Sequence, residues 1–125
     1  YAYGFDHEAY MYVERSVIPA LPALQTQVVD KDGAISITNG TVIITKAAAA
    51  AALTLDAPAA GDNYKILRIV STTAKAHEIT FDTGKINGGT NTKLTLTGNA
   101  IGDAATIVAY GTVWYTLALI NGTVA

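Results

Sequence analysis

Ala34-Ile35-Ser36-Ile37-Thr38-Asn39-Gly40-Thr41-Val42-Ile43-Ile44-Thr45 is the stretch on which the reading of the fold turns. Its first five residues alternate with period two, as a half-buried strand does, and its last five resume a β-branched run. The Asn-Gly pair between them predicts a two-residue hairpin, because both central positions of such a turn need φ > 0.

Reading outward toward the C-terminus, the alanine run Ala47 to Ala52 has helical propensity but is bracketed by β-branched Thr41 to Thr45 and by Leu53-Thr54-Leu55. A helix of six residues is marginal without packing, so the run is expected to be a tight bend into a strand ending at Leu55, with one helical turn as the alternative. Tyr64 to Thr72 has a near-continuous apolar middle, which suits a strand covered on both faces. His77 to Asp82 alternates cleanly, Leu94 to Thr97 follows a Gly- and Asn-rich tract, and Ala105 to Tyr110, Gly111-Thr112 and Val113 to Leu119 predict a second hairpin. Short strands at intervals of roughly 8–12 residues indicate an all-β domain, a small antiparallel β-sandwich, jelly roll or barrel. No internal repeat of fixed length is visible, which argues against a solenoid or propeller.

Toward the N-terminus the character changes. Tyr1 to Leu24 holds four of the seven tyrosines, at Tyr1, Tyr3, Tyr10 and Tyr12, with Phe5, Val17, Ile18, Leu21 and Leu24, yet shows no period that would let it fold alone. Ordering its backbone costs on the order of 24–48 kcal/mol, so the segment must lie on its own body or on a neighbouring chain. Pro19 and Pro22 bias Ile18 to Leu24 toward an extended strap, and the arm's length and lack of amphipathic period favour docking on another chain. Gln25 to Val29 is a candidate first strand, and Asp30-Lys31-Asp32-Gly33 is a turn signal. The expected organisation is an extended arm over residues 1–29 and a β body over residues 30–125.

Composition narrows the function. Charged residues make up only 14% of the chain against 50% hydrophobic, well below the roughly 25% charge of ordinary soluble domains, which points both to a surface of uncharged Thr, Asn, Ser and Gly and to surfaces buried against partners. The net charge is -2 and the cations are scattered singly, so no nucleic-acid surface is expected. Cysteine is absent, which removes disulfides, thiolate metal sites and cysteine nucleophiles together. No apolar run reaches the roughly 18 residues of a transmembrane helix, and no signal peptide is recognised, so no membrane partner is expected. Tyr1 in place of an initiator methionine leads to the expectation of a removed or omitted upstream segment.

No side chains suggest catalysis. His7 and His77 are the only imidazoles, and His77 and Glu78, adjacent on a strand, point to opposite faces. The aspartates sit beside Gly, Asn or Pro, where turn chemistry explains them, and Asp30-Lys31-Asp32-Gly33 lacks the later ligands of a calcium loop. Neither a catalytic residue, a metal site nor a cofactor is expected. Tyr110, Trp114 and Tyr115 are candidate subunit contacts, or with Tyr64 stacking platforms for a sugar, although aromatic residues on hairpins are more often core or subunit contacts.

The run Thr41 to Thr73 (TVIITKAAAAAALTLDAPAAGDNYKILRIVSTT), with the later AHEITF, KING and GTVWYTLAL, resembles structural proteins of tailed bacteriophages, specifically capsid decoration (cement) and head-fibre-like proteins. The resemblance spans residues 34 to about 120, and the arm matches no family pattern. It implies a non-enzymatic β-rich virion protein on the outer capsid surface that forms a homo-oligomer, a trimer, and binds the major capsid protein. The arm residues Tyr1, Tyr3, Phe5, Tyr10, Tyr12, Val17, Ile18, Pro19, Leu21, Pro22 and Leu24 are then the expected docking contacts. The alternative expectation is a glycan- or host-surface-binding module of a head fibre or tail.

Overall fold

The computed structural model describes residues 24–125, and the expectations for the arm before Leu24 lie outside the described residues. Among the described residues the strands are β1 (Gln25–Val29), β2 (Gly33–Ala34), β3 (Gly40–Ile44), β4 (Ala52–Thr54), β5 (Ile66–Ser71), β6 (Glu78–Thr80), β7 (Lys93–Thr95), β8 (Ala104–Tyr110), β9 (Val113–Ile120) and β10 (Thr123–Val124). A single 3-10 turn occupies Ala60–Asp62. Two five-stranded sheets result, ordered β1-β3-β5-β8-β9 and β10-β7-β6-β4-β2. The body is nearly all β, as its turn spacing predicts.

The pairing differs from the antiparallel arrangement expected. From β1 to β6 the chain alternates between the sheets, and each strand lies parallel to its predecessor in the same sheet. This half of the chain winds as three stacked turns of a parallel coil. Strands β7 to β10 then add antiparallel pairings, so both sheets are mixed. The missing sequence repeat did not exclude a coil because its turns are unequal: register partners Gln25 and Gly40 are much closer in sequence than Gly40 and Leu67. Loop length carries no constraint when only the strands stack.

The hairpin expected at Asn39-Gly40 is not formed. Gly40 is the first residue of β3, lies between Gln25 and Leu67 in register, and has no positive φ. Its glycine is required for another reason, since a Cβ there would overlap the Gln25 carbonyl oxygen. Asn39 ties three strand starts together: its carbonyl accepts from the Gln25 N–H at 3.0 Å, and its side-chain oxygen accepts from the Ile66 N–H at 3.1 Å. Ile35 to Thr38 alternates without being a strand because a side chain stands in for a partner. The Gln27 amide accepts from the Ser36 N–H at 2.9 Å and donates to the Ser36 carbonyl at 2.8 Å and to Thr38 Oγ1 at 2.9 Å.

The other expected elements appear, except that β5 is buried on one face only, with Arg68 exposed and Ile66 and Val70 half-buried on the other. The alanine run is a bend that enters β4, with no helix. The second hairpin joins β8 to β9 with Tyr110 opposite Val113, and both turn residues, Gly111 and Thr112, have positive φ, at 57° and 63°. Inward residues of the two sheets, among them Val42, Ile44, Leu67, Ile69 and Ile107 from the first and Leu53, Ile79 and Leu94 from the second, form one buried cluster. Substituting Gly40→Ala is expected to destabilise the body by about 1–3 kcal/mol through the clash with β1, read as a lower urea midpoint at unchanged slope. An unchanged midpoint would show that β1 is not held against β3.

Candidate interaction surface

His77 is the buried imidazole, and its bonds account for it. The Ala51 N–H donates to Nδ1 at 2.9 Å, and Nε2 lies 2.8 Å from Thr73 Oγ1. The Thr73 hydroxyl donates in turn to the Lys46 carbonyl at 2.8 Å. With Nδ1 accepting, the neutral Nε2–H tautomer completes the chain from backbone to backbone. Burial, and secondarily the Lys46 charge, lower the pKa of His77. It cross-links the strand connections as a neutral residue.

The aspartates likewise serve the turns. Asp32 accepts from Lys46 Nζ at 2.8 Å and from the Ala52 N–H at 2.9 Å, which hold its carboxyl below the usual range. Asp62 does the same with Lys65 at 2.6 Å and the Ala59 N–H at 2.9 Å. Buried Asp103 accepts from the Ala100 N–H at 3.1 Å and from Asn121 at 3.3 Å. Among the described residues no three His, Asp or Glu side chains gather as a metal site would require. Surface recesses line Gln27 to Ala34 and a patch around Asn39, Asn63 and Tyr64, and neither joins a nucleophile to an orienting base.

Of the sequence-designated contacts, Tyr110 and Tyr115 are exposed, whereas Trp114 is fully buried with its indole N–H donating to the Asp56 carbonyl at 2.9 Å. Trp114 is therefore a core residue, not a contact, because its place opposite Ala109 turns it inward. Tyr64, the fourth aromatic of the candidate sugar face, is 72% exposed and packs on Tyr110 with ring centroids 5.9 Å apart. Leu24 is exposed; the remaining arm residues, from Tyr1 to Pro22, and His7 lie outside the described residues.

The broadest unassigned surface is the outer face of the first sheet. Register aligns Val28, Ile43, Val70, Ala104 and Ile120 in one row across all five strands, and none of the five is buried. The next row is Thr26, Thr41, Arg68, Thr106 and Ala118, and beyond it Ile66, Val108 and Tyr115 align. Arg68 is the single charge among these positions. Strand and residue spacings make the face about 24 by 20 Å, roughly 480 Å². A contiguous apolar patch of a few hundred Å² marks an interaction site. The second sheet's outer face differs, carrying Thr54, Thr80 and Thr95 with a Glu78–Lys93 ion pair at 3.2 Å. The first face also carries threonines, Thr26, Thr41 and Thr106, but sets them between aliphatic rows.

Strand β9 extends this surface at the sheet's end. Its first half is covered by Lys85 to Asn87: the Trp114 N–H donates to the Lys85 carbonyl, and the Asn87 amide brackets Thr116 with bonds of 2.9 Å in each direction. After a register shift opposite Thr106 and Ile107, Leu117, Ala118, Leu119 and Ile120 are all exposed and uncharged. An open, apolar sheet edge invites another chain. No family model matches the chain, and a search of curated proteins finds no match.

The histidine arrangement predicts a pH response. His77 binds a proton more readily unfolded, near pH 6.5, than folded, so its stabilising contribution is present above that value and is lost as pH falls. Thermal stability should decline between pH 7 and 5.5 with a slope of at most about 1.4 kcal/mol per unit from this residue. His77→Gln should flatten that slope whatever its baseline stability; an unchanged slope would contradict the assignment.

Proposed function

We propose that this chain is a non-enzymatic structural virion protein, a cement protein that binds the outside of a phage capsid and stabilises it. The observation that carries the reading is the largely aliphatic outer face of the first sheet, crossed by a threonine row and holding one charge over five strands. A surface of that kind favours adhesion to protein over chemistry on a small molecule. The phage-type phrases from Thr41 onward supply the identity of the partner, the major capsid protein, and of the location. In this reading the two sheets pack as a sandwich rather than a jelly roll or barrel, the body assembles as a homotrimer, and the arm docks on capsid or on neighbouring cement subunits.

The mechanism is linkage. A protein that binds the assembled shell and not its free subunits stabilises the shell by mass action, and weak contacts repeated by symmetry add up to avidity. The glycan-binding alternative loses its central side chain with Trp114 in the core, and only Tyr64, Tyr110 and Tyr115 remain to offer rings.

Deleting residues 1–23 tests the reading. The truncated protein is expected to decorate expanded phage capsids at least about tenfold more weakly than the full chain, because one arm of a multivalent attachment is gone. Equal decoration and equal capsid stabilisation by both forms would overturn the arm's role, and failure of the full chain to bind any shell would overturn the cement assignment.

A further inference from the structure

We propose that the outer face of the first sheet seats residues 1–23 of a neighbouring copy of this chain, with Arg68 meeting the carboxylates of that arm. The neighbouring copy rests on the self-associating cement reading; the match of arm to face does not.

Size and charge select this occupant over a second copy of the same face. At roughly 480 Å², the face falls short of the about 800 Å² per partner of a stable interface. Pairing two such faces about a twofold axis would set Arg68 near Arg68 at the centre, a like-charge contact. The arm has the opposite character. It carries Asp6, Glu8 and Glu14 against Arg15 alone, and its remaining residues are largely aromatic or aliphatic. Its charge complements the single cation of the face, and its apolar residues complement the rows on either side.

The proline strap favours a neighbour's body over its own. The arm joins the fold at Leu24, immediately before β1, the outermost strand of this sheet. Pro19 and Pro22 bias Ile18 to Leu24 toward extended backbone, and at that rise the segment spans about 19 Å, nearly the width of the face. In this proposal the residues beyond the strap, Tyr1 to Val17, lie on the next subunit. Fully extended, the arm reaches roughly 76 Å, ample for that crossing.

A photo-crosslinking amino acid at Thr106, in the middle row of the face, tests this on the full chain bound to phage capsids. A mixture of isotopically light and heavy protein identifies the donor copy. The expected product joins Thr106 to a peptide from residues 1–23 with mixed isotopes, and Arg68→Glu should lower its yield about tenfold by placing like charges together. Capture of body residues of a second copy, capture of the arm with unmixed isotopes, or no capture of the arm would each overturn the proposal. Decoration by the same variant is scored separately, so a protein that decorates capsids without arm capture sinks this inference and leaves the cement reading standing.

Discussion

The parallel ladder that lays β3 between β1 and β5 is the constraint on which the rest of the body depends. It fixes Gly40 against the Gln25 carbonyl and Asn39 at the start of three strands. Because side chains alternate along a strand, that register commits Val42 and Ile44 to the core and Thr41 and Ile43 to the outer face. A slip of one residue would exchange the two sets. The outer rows, and with them the apolar surface, are consequences of the same ladder.

Two side-chain amides do work normally left to strands. Gln27 satisfies the backbone of Ser36 where the chain crosses between sheets, and Asn87 satisfies Thr116 where β9 runs along an otherwise open edge. Each allows a short segment to leave the sheet with its backbone polar groups paired, at sites that remain exposed to water. His77 and Thr73 make a comparable link between connections in the interior.

The all-β character, the bend after the alanine run and the β8–β9 hairpin were legible in the sequence because they rest on local chemistry: turn residues, β-branching and period two. Parallel pairing was not, since Asn39-Gly40 satisfies the local rule for a hairpin while its glycine answers a distant backbone atom of Gln25. Trp114 was misjudged for a related reason, its direction being set by the partner strand. The apolar outer face left a partial trace in the near-continuous apolar run of β5, where Ile66 and Val70 face outward opposite Leu67 and Ile69 facing in. Arg68 gained meaning only once register placed it alone among threonines and aliphatic residues.

The central claim is that this outer face is covered when the protein functions. Hydroxyl-radical footprinting of the full chain, free and bound to phage capsids, tests it through Tyr110 and Tyr115, which lie exposed on or beside the face. The account predicts strong protection of both tyrosines, Tyr115 above all, in the bound form. Equal modification of Tyr115 in the free and bound protein would contradict it.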